Sequence, residues 1–366
     1  MNDNKTLKTI FKIIGVIIAL YLFLVGIKGL SSGIKLLGGG FAKEVMSTTS
    51  NPFVALFIGV LATTLFQSSS TTSSLIVAMV GSGTLTLNGA IPMIMGANIG
   101  TTVTNTIVSI GHIQRGGEFK RAFQAATIHD FFNVLAVLIL FPIEYFFGLL
   151  EKTSSALGVL LFGTLSTDEV FKSPIKAAIK WGTEKVHLLS PENDILYIII
   201  SILITFLMLY SIVKLLRSLV LEKVEAFFDT YIFKTAARAM IFGTLLTISV
   251  QSSSITTSTV IPLAGAGVLS LRQIYPFTLG ANIGTTVTAL LASLTLNVTA
   301  MVASFAHLFF NIFGIILIYC NPLLRDIPIK LSEKFADLAQ KSKAIPLLYL
   351  IVVFFLVPFL IILLGR

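Results

Sequence analysis

The chain has 366 residues, of which 55% are hydrophobic and 12% charged, with a formal net charge of +9. Charged residues make up roughly a quarter of an average soluble domain, so this composition excludes an ordinary soluble protein and indicates an integral membrane protein. The basic residues lie between apolar runs, as in loops that orient membrane helices, which argues against nucleic-acid binding.

Five apolar runs are each close to the roughly 20 residues that an α-helix needs to cross a bilayer. They cover residues 11–27, 131–150, 195–213, 301–319 and 345–364. Alternating ten-residue strand patterns are absent, which argues against a β-barrel. The first run follows a basic start like that of a signal peptide, but no small-residue cleavage site follows it convincingly, and we interpret it as a retained first helix.

The chain is a tandem repeat of three polar motifs. QSSS begins at Gln67 and again at Gln251, and GANIGTTVT occupies residues 96–104 and 280–288. H-x-F-F-N begins at His129 and His307. An odd number of membrane crossings between the two copies would make the halves inverted, with their polar segments meeting near the middle of the membrane.

The motifs and loops divide the chain into six predicted segments. These are a cytoplasmic start with the first helix (1–48), repeat 1 (49–150), an inter-repeat loop on the external side (151–194), a helix with a basic cytoplasmic loop (195–238), repeat 2 (239–320), and an amphipathic loop with a C-terminal helix (321–366). Lys5, Lys8 and Lys12 predict a cytoplasmic N-terminus by the excess of basic residues on that side. The basic cytoplasmic loop is marked by Lys214, Arg217, Lys223, Lys234 and Arg238.

QSSS interrupts two apolar arms, residues 52–65 and 75–80, and neither arm is long enough to span a membrane alone. This pattern predicts a re-entrant hairpin whose tip carries residues 67–70. Backbone of that kind survives in a membrane only where it is buried in protein or lines a watery cavity. Alternatively, the hydroxyls bond back to their own helix carbonyls, and that interpretation suffices for Thr63 or Thr64. The duplication favours a binding site.

GANIGTT is the second polar segment. Gly96 and Gly100 permit either a local unwinding of the helix or close helix packing of the G-x-x-x-G kind, and Gly280 and Gly284 repeat the choice. The two interpretations are equally supported by the motif alone. Together with two hairpins, these segments predict an all-α polytopic membrane protein of two inverted repeats, each with an interrupted helix, and about eight spanning helices in all.

The QSSS and GANIGTT motifs offer hydroxyls, amides and helix N-termini, but neither of these two motifs contains Lys or Arg. Backbone N–H groups and helix dipoles can hold an oxyanion. Monovalent cations bound beside it would supply the missing positive charge, and their binding would then be coupled to that of the anion. A serine hydrolase is disfavoured because no G-x-S-x-G elbow is present and no base lies near the serines in sequence. A passive anion pore stays open as an alternative.

The motifs QSSSTTSS, GANIGTTVTNTIVSI, IHDFFN, QSSSITTS and GANIGTTVTALLASL resemble those of the type II sodium-phosphate cotransporters, in order, over residues 50–364. The resemblance implies a non-enzymatic, Na⁺-driven uptake of inorganic phosphate by alternating access. An exporter with the same site is a further alternative. The resemblance further implies that the two hairpin tips bind phosphate. Their residues are Gln67, Ser68, Ser69, Ser70, Gln251, Ser252, Ser253 and Ser254. Candidate sodium ligands are Asp130, Thr71, Thr72, Asn98, Thr101, Thr256, Asn282 and Thr285.

Asp130 is the most informative intramembrane carboxylate. In the family, Asp at the matching position accompanies electrogenic transport, which implies three Na⁺ with one divalent phosphate. The alternative is that Asp130 caps a helix near Lys120 and Arg121. We interpret His129 and His307 as hydrogen-bonding groups that pack between helices, because neither has a second metal ligand at suitable spacing. The compact chain suggests a multi-pass protein of a bacterial inner membrane, with Na⁺, phosphate and the lipid bilayer as its partners and an undetermined oligomeric state.

Overall fold

The computed structural model describes residues 2–111, 113, 116–163, 174–190, 193–224 and 232–365, and within these ranges the chain forms α-helices and no strand. This confirms the all-α prediction. In chain order the α-helices are α1 (Asn2–Leu36), α2 (Gly38–Thr49), α3 (Pro52–Phe66), α4 (Ser69–Ser82), α5 (Leu87–Gly100), α6 (Val103–Ile110), α7 (Gly116–Phe147), α8 (Leu149–Phe162), α9 (Pro174–His187), α10 (Asp194–Val224), α11 (Ala236–Val250), α12 (Ser253–Gly265), α13 (Leu271–Ser293), α14 (Val298–Gly314), α15 (Asp326–Lys341), α16 (Ala344–Ile351) and α17 (Val357–Leu364).

Five helical segments of the described chain are long and apolar enough to cross a membrane, and they match the five predicted runs. They are Leu7–Leu36, Gly116–Phe147, Asp194–Leu219, Val298–Tyr319 and Ala344–Leu364. Helices α2 and α3, bent by 101° at their junction, raise the number to six if they form one span. By length and composition the described residues thus give five or six spans, and the prediction of about eight stays a prediction, because the polar motifs divide the repeats into shorter helices.

Several predicted loops are helical. Lys214 and Arg217 lie within α10, and the inter-repeat segment contains α8 and α9. The predicted amphipathic loop forms α15, which buries Ile329, Ala336 and Ala339 along one face. Apolar residues at helical spacing drive this fold because a helix can bury that face against its neighbours. Parts of the predicted loops, residues 164–173, 191–192 and 225–231, lie outside the described residues.

Within each half, the helix that precedes QSSS packs against the GANIGTT helix, as α3 on α5 and α11 on α13. A Cβ atom added at Gly96 would lie 1.9 Å from the Leu56 carbonyl oxygen, and one at Gly280 would lie 1.9 Å from the Met240 carbonyl oxygen. Backbone therefore contacts backbone, as in small-residue packing of membrane helices. The structure supports the packing interpretation of G-x-x-x-G.

The predicted interruption of GANIGTT occurs in one half only. In repeat 1 the helix stops at Gly100 and resumes at Val103, whereas α13 continues through the same motif from Leu271 to Ser293. The prediction of an interrupted helix in both halves was therefore wrong for repeat 2. Because the nine residues are identical, the tertiary surroundings of each copy decide whether the helix breaks.

The helices that follow QSSS also pack against the opposite half. The helix that follows QSSS in repeat 1, α4, packs against α13 and α14 of repeat 2. Its counterpart in repeat 2, α12, packs against α6 and α7 of repeat 1. Each QSSS helix thus contacts the H-x-F-F-N helix of the opposite half, in addition to the GANIGTT helix of its own half. This crossed arrangement brings the duplicated polar motifs together in the interior.

Candidate functional site

The two QSSS tips have matching backbone geometry. Gln67 and Gln251 end α3 and α11 in the left-handed region, with φ of 53° and 57°, and they are the only non-glycine residues of the described chain with positive φ. Extended Ser68 and Ser252 then cap the next helices: the Ser68 hydroxyl accepts from the Thr71 N–H at 3.2 Å, and the Ser252 hydroxyl accepts from the Ile255 N–H at 3.3 Å. Both copies therefore build a helix N-terminus at the break.

The first N–H groups of these helices are those of Ser69 and Ser70 in α4 and of Ser253 and Ser254 in α12. All four residues are buried. In an α-helix the first N–H groups have no partner within the helix, and the macrodipole adds partial positive charge at that end. The tips can therefore supply donors to an anion although their motifs contain no basic side chain.

Each tip glutamine is tied to the GANIGTTVT motif of its own half. The Gln67 side-chain amide donates to the Thr64 carbonyl oxygen at 2.6 Å, and its Oε1 accepts from the Thr104 hydroxyl at 2.9 Å. Gln251 repeats this arrangement, donating to the Ile248 carbonyl oxygen at 2.7 Å and accepting from Thr288 at 2.8 Å. The repeat in sequence is therefore a repeat of hydrogen bonds.

Three hydrogen-bond contacts join the two halves at the tips. The Thr288 hydroxyl, bonded to Gln251, also lies 3.4 Å from the Ser70 hydroxyl of the first tip. On the other side, Asn105 Oδ1 accepts from the Thr257 hydroxyl at 2.9 Å and from the Ser258 hydroxyl at 3.2 Å. The structure thus brings the QSSS segments of both halves to one place, linked through Thr288.

Sequence reasoning missed Thr104, Thr288 and Asn105 as candidate site residues. The signal for the two threonines was present, because they end the identical nine-residue motifs and occupy matching positions. Asn105 gave no such signal, since its counterpart in repeat 2 is Ala289. Only the crossed packing of α6 and α12 reveals its contact with Thr257.

Most hydroxyls predicted as sodium ligands donate their proton locally. The Thr101 and Thr285 hydroxyls donate to the Ala97 and Ala281 carbonyl oxygens. In the QSSS helices, the corresponding donors are Thr72 and Thr256, to the Ser68 and Ser252 carbonyl oxygens, and Thr71, to the Ser68 hydroxyl. Such bonds to the helix itself are the alternative given above for the QSSS hydroxyls, and they occur in GANIGTT as well. A hydroxyl that donates its proton keeps acceptor lone pairs, which are the groups that a cation requires.

Buried amides and a histidine link the GANIGTT and H-x-F-F-N motifs across the two halves. The Asn282 side-chain amide donates to Asn133 Oδ1 at 2.9 Å, and its Oδ1 is bonded to His129 Nε2. Asn133 donates in turn to the Asn98 carbonyl oxygen at 2.8 Å. Asn98, Asn282 and His129 therefore meet in one network, and His129 has the predicted hydrogen-bonding role.

Among the residues that the structure describes, the corresponding network is not formed in the second half. Both ring nitrogens of His307 are buried without a hydrogen-bond partner in the described part of the chain. The Asn311 side-chain amide donates to the His307 carbonyl oxygen at 3.0 Å, within its own helix, and Asn98 donates to the Ile94 carbonyl oxygen at 2.9 Å. The packing role predicted for His307 holds, but its predicted hydrogen bond is absent.

Asp130 lies in the interior of α7 and is fully buried, so the helix-capping alternative was wrong. Its Oδ2 accepts from the Tyr349 hydroxyl at 3.0 Å, and its Oδ1 has no hydrogen-bond partner among the described residues. Lys120 pairs with Asp337, and Arg121 donates to the Gly265 carbonyl oxygen at 2.8 Å. Neither basic side chain is bonded to Asp130. Both lie on the same helix as Asp130 but more than two turns before it.

A membrane protein with duplicated polar helix breaks that meet in its interior has the architecture of the secondary transporters. The comparison with known families agrees. The chain belongs to the family described as Na+/Pi-cotransporter, whose model matches residues 22–167 and 198–319, more than half of the chain.

The chain is similar to curated mammalian proteins. It is 34% identical to sodium-dependent phosphate transport protein 2B of Homo sapiens over 93% of this chain and 63% of that protein. It is also 34% identical to protein 2A of Rattus norvegicus, over 93% of this chain and 66% of that protein. The chain therefore spans slightly less than two thirds of the length of these relatives. No solved structure matches it.

Proposed function

We propose that the protein carries out Na⁺-coupled uptake of inorganic phosphate by alternating access. The family and the names of the relatives support these two substrates. The crossed packing of the halves supports the mechanism, since transporters built from repeats commonly place their site where the repeats meet. We further propose a multi-pass protein of a bacterial inner membrane with a cytoplasmic N-terminus.

The observation that carries the proposal is the meeting of both QSSS tips at Thr288. Two helix N-termini, α4 and α12, supply N–H groups there, at Ser69, Ser70, Ser253 and Ser254. A phosphate oxygen can accept from such donors without a basic side chain. Gln67 and Gln251 hold the two breaks in place through Thr104 and Thr288. The phosphate site of this proposal therefore consists of both tips.

Sodium ions supply the remaining positive charge. A divalent anion among neutral donors is poorly compensated in a low-dielectric interior, so cations bound on nearby oxygen ligands stabilise it. The candidate ligands are the hydroxyl and amide oxygens around the tips, together with the Asp130 carboxylate. Binding of sodium and of phosphate then promote each other, and this coupling is the basis of the proposed symport.

Uptake of ³²P-phosphate into proteoliposomes tests the proposal. We expect accumulation only when an inward Na⁺ gradient is imposed, with K⁺ or choline giving at most a few per cent of that rate. Saturation with both Na⁺ and phosphate is expected as well. Phosphate flux that is indifferent to Na⁺ and does not saturate would instead identify a passive channel. Accumulation only with the opposite gradient would favour an exporter.

Asp130 leads to a specific proposal about charge. If its carboxylate holds an additional Na⁺, three sodium ions accompany one divalent phosphate and one net positive charge moves inward. A valinomycin-imposed, inside-negative potential should then accelerate uptake by the wild type. Asp130→Gly removes the carboxylate, and we expect uptake by that variant to be independent of the potential. A wild-type rate that does not respond to voltage would contradict the electrogenic assignment.

A further inference from the structure

Only one of the two carboxylate oxygens of Asp130 accepts a hydrogen bond from the described residues. The Tyr349 hydroxyl donates to Oδ2 at 3.0 Å, whereas Oδ1 has no donor within the part of the chain that the structure describes. Thr102 lies near the same carboxyl group, but its hydroxyl donates to the Ile99 carbonyl oxygen at 3.0 Å. A fully buried carboxylate oxygen without a donor is costly unless a cation reaches it.

Three basic side chains of α7 and α13 are already bonded to other groups. Lys120 on α7 binds Asp337 on α15, and Arg272 at the start of α13 binds Asp326 of α15 through two hydrogen bonds of 3.0 and 3.2 Å. Those bonds also lower the pKa of the exposed Asp326 carboxyl below its ordinary value. Arg121 is bonded to the Gly265 carbonyl oxygen. A cation for Asp130 is therefore expected to come from the transported ions.

The Tyr349 ring is fixed by its neighbours. Its centroid lies 4.8 Å from that of Phe335 on α15 and 5.4 Å from that of Phe354, both in edge-to-face geometry. The two ion pairs described above fasten α15 to α7 and α13, one in each half of the molecule. The hydroxyl is thus supported at a defined position. Tyr349 lies beyond residue 319, where the match to the family model ends.

We infer that Tyr349 is a positioning residue for Asp130. Its hydroxyl holds Oδ2 and stabilises the ionised carboxylate, so that Oδ1 is presented to a transported sodium ion. The inference rests on the proposed function, because it assigns Asp130 to a sodium site. It adds a residue from the C-terminal segment to a site otherwise built from the two repeats.

The conservative substitution Tyr349→Phe removes the hydroxyl and keeps the ring. We expect the Na⁺ concentration for half-maximal phosphate uptake to rise by about tenfold, the size expected of one hydrogen bond to a charged group. The phosphate concentration for half-maximal uptake at saturating Na⁺ should stay unchanged. Tyr275→Phe is a matched control, because the Tyr275 hydroxyl is buried without a hydrogen-bond partner among the described residues. That variant should leave both constants unchanged.

A double-mutant cycle tests whether Tyr349 acts through Asp130. We expect Asp130→Asn to raise the Na⁺ requirement by itself and Tyr349→Phe to add nothing in that background. An equal shift in the presence and absence of the carboxylate would overturn the inference. A Tyr349→Phe protein with the Na⁺ dependence of the wild type would overturn it as well.

Thermal stabilisation of the purified proteins separates this inference from the proposed transport. Each protein is melted in NaCl and in choline chloride at equal ionic strength. We expect Na⁺ to stabilise the wild type and Tyr275→Phe, and to do so only at about tenfold higher concentration in Tyr349→Phe. Failure of transport with this pattern intact would refute the proposed function alone. A Na⁺ effect that is absent, or equal in all three proteins, would refute the role of Tyr349.

Discussion

Gln67 and Gln251 hold a backbone conformation that glycine adopts more easily. A side chain in the left-handed region costs about 1 kcal/mol or more relative to glycine. In both residues the amide offsets that cost by joining the preceding helix to the last threonine of GANIGTTVT, at 2.9 Å for Thr104 and 2.8 Å for Thr288. At these two positions the backbone therefore lowers stability, whereas the side-chain amide anchors the tip, and the two effects can be tested separately.

This separation predicts the effects of Gln67→Gly and Gln251→Gly. Glycine relieves the backbone strain and removes the amide bonds that offset it, so we expect a melting temperature close to that of the wild type. We expect phosphate uptake to fall at least about tenfold, because the loss of one such anchoring bond releases the tip. Melting curves and ³²P uptake on the same samples provide the measurement.

The exposed Gln340 in α15 provides a control for glycine itself. Because it lies in the last turn of α15, Gln340→Gly should lower the unfolding free energy by at most about 1 kcal/mol and leave uptake unchanged. Normal uptake by well-folded Gln67→Gly and Gln251→Gly proteins would show that the tips do not form the phosphate site.

Duplication was the main signal for sequence reasoning, and Asp130 was found without it because a carboxylate within an apolar run is rare. QSSS and GANIGTT stood out because two copies in matching order are improbable by chance. Tyr349 has no copy, and its partner Asp130 is 219 residues away in sequence, so no local pattern connects them. Their contact depends on how α15 and α16 return over α7, which is decided by long-range packing.

At the scale of helices, α5 and α13 approach the helices that precede QSSS with backbone against backbone. A Cβ atom at Gly96 or Gly280 would lie 1.9 Å from a backbone carbonyl oxygen of the neighbouring helix. Because this obstacle is backbone, a change of side-chain rotamer cannot relieve it. We expect Gly280→Ala to separate α11 from α13 and to lower the unfolding free energy by about 1–3 kcal/mol. A reduced melting temperature would show this loss.

Gly39 in α2 is the control for that substitution, because nothing lies within 4 Å of the Cβ that alanine would add. Gly39→Ala should be neutral, or stabilising by up to about 1 kcal/mol through helix propensity. Equal melting temperatures for Gly280→Ala and Gly39→Ala would contradict the packing described for α11 and α13. Sequence alone left this question open, because G-x-x-x-G is compatible with both packing and unwinding.

Over the whole molecule, hydropathy predicted the five long spans, since each depends on about 20 consecutive apolar residues. Hydropathy did not predict the shorter helices between them or the packing of each QSSS helix against the opposite half.

Hydropathy also did not distinguish His129 from His307, which occupy matching motifs. His129 is bonded to Asn282 across the molecule, whereas His307 has no hydrogen-bond partner within the described ranges. That inequality arises from tertiary packing around two similar segments. The inverted topology of the halves and the depth of the tips in a bilayer stay predictions.

The packing of α4 and α12 against the opposite half has a genetic consequence. Each half supplies one tip and also contacts the tip helix of the other half, so under the proposed function every chain builds its own phosphate site and needs both halves. Two alleles that are defective in different halves, such as Gln67→Gly and Gln251→Gly, should therefore fail to complement each other when expressed together, even if chains associate. The duplication gives the gene two copies of a motif but no spare copy, and a loss in either one is expected to be recessive to the wild type and complete by itself.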